Sequence, residues 1–380
     1  MSGTKVVILG AGFGGLELSS RLSEELGDDV SITLIDKNDS FVFGFSKLDV
    51  MFGKHQPDEV RSYYRNITKP GVEFRQETIQ SIDPNAKRVV TDQGTHDADI
   101  LVVALGADLD PAATPGLDEG GYEFYSVAGA ERLRDVLPTF SAGVAVVAVL
   151  GPFFKCPPAP FEAALLLHEM LEARGVRGDV KLYVLSSLPS PVQISPEISG
   201  AILDALAERD IEFWGQSRVT SIDPAAHIAT IEDGRTLAFD LLLGVPVHVA
   251  PPVVVDGGLT EPDGWIGVDP ATFATKFPGV YAVGDVTSAP VPRAGVFAEG
   301  EARTLADVLL AQVRGGDPPP PYGGAAACYV EWGGGLVARA NVEFLGDAPP
   351  HGSLTPPSTA ITAEKMEFGA SRRRRWFGTD

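Results

Sequence analysis

Short, continuous apolar runs alternate along this chain with longer stretches whose apolar positions recur at helical spacing. The first unit reads KVVILG, then GAGFGG, then LELSSRLSEEL, then SITLID. The pattern predicts a buried strand, a tight turn, an amphipathic helix and a second strand. Later, GVAVVAVL predicts another strand and FEAALLLHEML another helix. GVYAVGDV followed by a helix from near Gly295 predicts a third such junction. Two stretches repeat one another, QSIDPNAKRVVTDQGTHDADILVVALGAD from Gln80 and TSIDPAAHIATIEDGRTLAFDLLLGVPV from Thr220. Each reads as a short meander, with DQG or EDG as its turn, feeding back into a buried strand. The expected fold class is α/β, with two Rossmann-like dinucleotide-binding-type domains plus a small C-terminal segment. The first domain is expected over 1–110 and completed by 275–322. The second is expected over 111–274, and the C-terminal segment over 323–380.

The turn chemistry sharpens this picture. Gly10, Gly12 and Gly15 stand at the spacing of the dinucleotide fingerprint, with Gly14 beside them, and Asp36 ends the next strand. Gly10 allows the tight turn, Gly12 lets backbone approach a pyrophosphate, and Gly15 lets helix and strand pack closely. The helix N-terminus then faces the phosphates, and Asp36 is placed to accept from a ribose hydroxyl. Aligning VVILG with VAVLG puts Gly10 on Gly151, Gly12 on Phe153 and Gly15 on Cys156. The second domain thus keeps the scaffold but loses two of the three glycines, and its next strand ends KLYVLSSLP without an acid. Gly284 and Asp285 suit a carboxylate aimed at a flavin's ribityl chain. The helix near Gly295 would turn positive charge toward the flavin's pyrimidine edge.

Composition narrows the partners. The chain has 380 residues, enough for two or three domains, and a net charge of -21, which argues against nucleic acid. LAFDLLLGVPVHVAPPVVV comes nearest to a membrane span, but Asp240 and three prolines interrupt it. The first strand starts almost at Met1, so a secretory signal is not expected, and a cytoplasmic protein is. Of the two cysteines, Cys156 and Cys328, the plain reading is two inert buried thiols. The other reading begins from Lys155 and the helix that follows Cys156. A cation and a helix N-terminus both lower a thiol's pKa. His168 reads as a helix packing residue.

Gly10–Gly15, Asp36, LVVALGAD with Ala104 and Gly106, and VGD at Gly284 and Asp285 resemble the FAD-binding pattern of the flavoprotein disulfide reductase superfamily. Within it, KCPPAPFEAALLLHEML, PRAGVFAEGEA, CYVEWGGGLVARANVEF and SRRRRWFG resemble the branch of sulfide:quinone oxidoreductases and flavocytochrome c sulfide dehydrogenases. That resemblance implies a redox pair made of Cys156 and Cys328. Sulfide would open their disulfide, and two electrons would pass to FAD and on to a quinone. Some branch members carry a third cysteine before the second domain, and here it is absent. The flavocytochrome attaches its flavin through a cysteine that DKNDSFVFGFSKLDVMFGK lacks, so non-covalent FAD is expected. Glu162, in the first turn after Cys156, reads as a proton acceptor for sulfide or as a partner of the helix dipole. The four arginines beside Trp376 and Phe377 read as an anchor on the inner face of the cell membrane or as a solvated basic run. Phe344 and Trp376 are candidates for quinone packing. Two alternatives stay open, an NAD(P)H-dependent enzyme of the type II NADH dehydrogenase kind and a flavoprotein that binds sulfane sulfur without turnover. A homo-oligomer is possible.

Overall fold

The computed structural model describes residues 3–378. Strand Thr4–Leu9 lies between Val30–Asp36 and Ile100–Val103, parallel to both. Its Val6, Val7 and Ile8 are buried on both faces, as an inner strand of a parallel sheet requires. The first sheet runs Val280–Ala282, Ile100–Val103, Thr4–Leu9, Val30–Asp36, Val72–Gln76, and every pairing is parallel. Helices Phe13–Leu26 and Gly295–Arg314 pack against each other and share its core.

The second sheet runs Tyr122–Glu123, Leu241–Val245, Gly143–Val149, Val180–Leu185, Ile211–Trp214, again all parallel. From Leu241–Val245 to Ile211–Trp214 this repeats the order of four strands in the first sheet, but the edge strand Tyr122–Glu123 precedes its sheet in the chain, whereas Val280–Ala282 comes last. The α/β class with two Rossmann-like sheets is therefore borne out. The repeat extends to local detail in the two meanders. The ladders slip between Ile79 and Ser81 and between Val219 and Ser221. Asp83 Oδ1 accepts from the backbone N–H of Asn85 and Ala86, and Asp223 Oδ1 from those of Ala225 and Ala226. Lys87 and His227 then take the same left-handed conformation, at φ +52° and +55°.

Strands Ala325–Gly333, Leu336–Glu343 and His351–Ser358 form an antiparallel sheet, followed by helix Thr359–Phe377. Helix Ala159–Ala173 packs against Ala325–Gly333, so the C-terminal sheet joins the core of the second one. That explains why its Phe161, Ala163, Ala164, Leu165, Leu167 and Leu171 are all buried, leaving little of a polar face. No helix among the described residues is long and apolar enough to cross a membrane.

The arginine-rich tail folds back onto the chain. Glu17 is buried and is held by Arg303 at 2.8 Å, Arg375 at 3.1 Å and the Trp376 indole N–H at 2.9 Å. Burial works against its charge, but these partners keep its carboxyl below the ordinary value. Arg372 pairs with Glu299, and Arg374 with Glu367. Trp376 is core, edge-on to Phe13 at 5.7 Å and Phe41 at 5.6 Å, which corrects its reading as a quinone-packing residue. Phe344 sits edge-on to Phe297 at 5.6 Å.

Candidate active site

The first glycine turn is shaped by close backbone approach. Gly10 adopts φ +99°, and its N–H donates to the Ile35 carbonyl at 2.7 Å. A Cβ there would lie 2.4 Å from the Ala104 oxygen, and one at Gly15 would lie 1.9 Å from the Gly10 oxygen. Gly14 closes on Val283, where a Cβ would come within 3.0 Å. A Cβ at Gly12 would meet nothing within 4 Å, so that face is open. Helix Phe13–Leu26 has neither a side-chain cap nor an acid in its first turn, which leaves its N–H groups and dipole free for an anion. Asp36 is fixed at the mouth by the N–H groups of Ala11 at 2.9 Å and Asn38 at 2.8 Å, with lone pairs left for a hydroxyl.

The third junction meets the first. Helix Gly295–Arg314 starts where the sequence predicts, and its N-terminus has no side-chain cap. A Cβ at Gly295 would lie 2.3 Å from the Phe13 ring, so this glycine lets two uncapped helix N-termini sit side by side. Gly284, at φ +80°, donates its N–H to buried Glu301 at 2.5 Å, and Gly106 is at φ +69°. Burial pushes the Asp285 carboxyl up, while Lys155, Arg293 and Lys47 pull it down. An open glycine face, free amides at two helix ends and a ribose-side carboxylate fit a dinucleotide such as FAD.

The second loop is built for something else. Gly151 remains, its carbonyl accepting from Ser187 Oγ at 2.8 Å. Phe153 is 58 % exposed, with the Arg293 guanidinium over its ring. Cys156 takes φ +55°, a conformation that residues with a Cβ rarely adopt. Its N–H donates to the Arg293 carbonyl at 2.8 Å. The helix begins at Ala159 rather than at Phe154, the position equivalent to Phe13. Cys328 lies in strand Ala325–Gly333 opposite Ala340, and the packing of that strand on helix Ala159–Ala173 brings it toward Cys156. Both thiols are free and half-buried, and Cys328 is near enough to push the Cys156 ionisation up.

A profile described as pyridine nucleotide-disulphide oxidoreductase matches residues 4–302. The chain belongs to that family. The oxidoreductase is 27% identical over 352 residues to a sulfide-quinone reductase of Aquifex aeolicus, covering 86% of this chain and 81% of that one. It is 35% identical over 131 residues to a type II NADH:quinone oxidoreductase of Staphylococcus epidermidis, but only 34% of this chain and 33% of that one are covered. In fold it resembles the crystal structure of the Aquifex aeolicus sulfide:quinone oxidoreductase, with TM-score 0.87 and 23% identity, covering 99% of this chain and 92% of that one.

The Cys156 thiol is not made more acidic. Burial pushes it up, Glu162 and Cys328 add to the rise, and Lys47 and Lys365 only oppose it. Burial and Glu162 likewise push Cys328 up to about 12. Lys155 turns its ammonium to the Ala107 carbonyl, 2.8 Å away, instead of to the thiol. Glu162 lies in the first turn of helix Ala159–Ala173, where the sequence places it, and it is buried there. It is 1 % exposed, and its Oε1 accepts the Glu331 N–H at 2.9 Å. Burial raises it to about 7 against the pull of Lys365 and that N–H. Lys365 in turn pairs with Glu331. His168 accepts from Arg177 Nε at 2.9 Å. Sequence reasoning missed Lys47, Tyr125, His248, Arg293, Glu301 and Lys365. Lone polar residues inside apolar runs were the available signal, as with His248 in GVPVHVA.

Proposed function

We propose that this oxidoreductase oxidises sulfide to polysulfide or sulfane sulfur through Cys156 and Cys328, and passes the electrons through non-covalent FAD to a membrane quinone. The observation that carries this reading is a substitution of purpose. The loop that would cradle a second dinucleotide presents a thiol, and a separate segment brings a second thiol near it. Gly10, Gly12, Gly14, Gly15 and Asp36 hold the ADP half of FAD. Ala104, Gly106, Gly284, Asp285 and Gly295 line its flavin half. FAD supplies a two-electron acceptor that quinone reoxidises.

With the pair oxidised to a disulfide, hydrosulfide forms an S–S bond to one cysteine as the Cys156–Cys328 bond breaks. One cysteine then carries a persulfide and the other a thiolate. Glu162, poised near neutrality, exchanges the proton that this step displaces. The raised pKa values of both thiols favour uptake of a proton by the thiolate that this step releases. Quinone is met at the C-terminal segment, where Met366 is 70 % exposed about two turns from Arg373 on helix Thr359–Phe377. The protein contacts the inner face of the cell membrane peripherally.

Anaerobic stopped-flow absorbance tests this. Sulfide should bleach the flavin within a turnover, NADH should not, and a short-chain quinone should restore the colour. Bleaching by NADH would favour the NADH:quinone reading. Bleaching by sulfide without reoxidation by quinone would leave a sulfane-sulfur-binding flavoprotein. Acid precipitation should leave the flavin in the supernatant, and colour in the pellet would show covalent attachment.

A further inference from the structure

His248 is 4 % exposed, and its Nε2 is buried with no hydrogen-bond partner in the chain. Its Nδ1 lies 2.8 Å from the Pro246 carbonyl, which can only accept, so the proton is on Nδ1 and Nε2 is a bare acceptor. A buried unsatisfied acceptor is costly unless something fills it. The ring stands edge-on to Tyr125 at 5.5 Å, and the Tyr125 hydroxyl reaches to the Cys156 carbonyl at 3.4 Å. Lys47 donates to the Tyr125 carbonyl at 2.6 Å and bears on the Cys156 thiol. Lys155 precedes that cysteine, and the Arg293 backbone carbonyl accepts its N–H, while the Arg293 guanidinium donates to the Asp285 carbonyl at 3.0 Å. The cations bearing on His248 are these three, Lys155, Arg293 and Lys47. Burial and this surrounding charge hold the imidazole neutral, with its pKa down at about 3, while burial brings Lys47 down to about 8.

We propose that His248 Nε2, with the Lys47, Lys155 and Arg293 cations around it, forms the site that binds hydrosulfide before it reacts. The inference rests on the sulfide-oxidising reading above. The ligand must bring one hydrogen to donate and one negative charge, and it must be small. Hydrosulfide meets all three conditions, with its S–H turned to Nε2 and its charge toward the cations. The Glu162 carboxylate bears on both thiols, whereas Lys47 bears on Cys156, the one beside His248's neighbour Tyr125. Sulfide is therefore held next to Cys156.

The test is an anaerobic titration of the FAD-loaded enzyme with sodium sulfide, comparing wild type with His248→Phe and Lys47→Met. Phenylalanine keeps the ring against Tyr125 and removes the acceptor. Each variant should need at least about tenfold more sulfide for half-maximal flavin bleaching, a loss of about 1.4 kcal/mol. FAD content and the oxidised flavin spectrum should stay close to wild type. Unchanged sulfide dependence in both variants would overturn the proposal and leave Nε2 to a bound water. Lost FAD or a shifted flavin spectrum at unchanged sulfide dependence would also overturn it, by assigning His248 to the cofactor. If sulfide does not bleach even the wild type, the parent reading falls as well. If wild type and variants bleach alike, only this inference does.

Discussion

The two loops Gly10–Gly15 and Gly151–Cys156 leave equivalent strands of two sheets that share the order of four strands, and they do opposite things. In the first, the backbone is bare where a pyrophosphate would lie, and the helix starts at once from Phe13. In the second, a phenylalanine and a cysteine stand at the positions of Gly12 and Gly15, and the helix is delayed to Ala159. The delay is a consequence of the substitution. At Gly15 a Cβ would strike the Gly10 oxygen at 1.9 Å, so no residue with a side chain can sit there while the helix keeps its close crossing. The second loop therefore swings away, pinned by the bond from Cys156 N–H to Arg293, and carries its cysteine toward the C-terminal sheet. The scaffold decides where a loop can reach, and two side chains decide what it holds there.

The comparison is broken most decisively through the thiols. Cys156→Ser and Cys328→Ser are each expected to lower sulfide-dependent quinone reduction by about three orders of magnitude or more. Both variants should keep their FAD. Because the two sulfurs act as one unit, the double variant should be little worse than either single one. Steady-state quinone reduction alongside flavin absorbance checks both points. A variant that keeps a tenth of its activity would return its cysteine to the plain reading of an inert buried thiol.

Substitution of glycine in the first loop sharpens the contrast at the next level of effect. Gly12→Ala adds a methyl where nothing stands within 4 Å, at φ −79°, so the apoprotein should keep its stability to within about 0.5 kcal/mol. The same methyl faces the pyrophosphate, so FAD affinity should fall by roughly tenfold or more, about 1.4 kcal/mol. Gly15→Ala should lose both, since overpacking against backbone costs about 1–3 kcal/mol or more. Thermal melting with and without added FAD separates the two variants. Equal destabilisation of the two apoproteins would mean that the Gly12 face is not open.

How much of this was legible follows from the kind of physics each feature uses. The parallel strands, both meanders and the glycine turns were legible because each is dictated locally, by apolar runs and by residues that only a turn tolerates. The repeated SIDP even marks a duplicated turn in which Asp83 and Asp223 bind the same two amides. The nearness of Cys156 and Cys328 was reached through resemblance alone, since no local rule links segments so far apart in the chain. The ionisation of Cys156 was misread for a related reason. Lys155 and the helix are neighbours in sequence, but burial, Glu162 and Cys328 are neighbours in space, and they win. Lys47, His248 and Lys365 come from three separate elements, and only their convergence gives them meaning.

The smallest expected effect is a slope with pH. Burial raises the Glu162 carboxyl to about 7 from the 4.5 expected of it when exposed. The folded protein therefore holds a proton that the unfolded chain releases between these values. Stability from this group is fully present below about pH 4.5 and is lost as pH rises through about 7, by on the order of 3 kcal/mol at most. Burial raises Glu301 in the same way, to about 8, so the whole apoprotein should melt lower as pH climbs from 5 to 8. Glu162→Gln keeps an oxygen for the Glu331 N–H and removes the titration. Its melting temperature should fall less steeply across this window, so that its difference from wild type shifts in its favour by a few degrees between pH 5 and pH 8. Differential scanning calorimetry at several pH values reads this slope directly. Parallel melting curves for the two proteins would mean that Glu162 titrates below pH 5, already ionised beside Lys365, and it would then be available as a proton acceptor across the whole neutral range instead of being switched on within it.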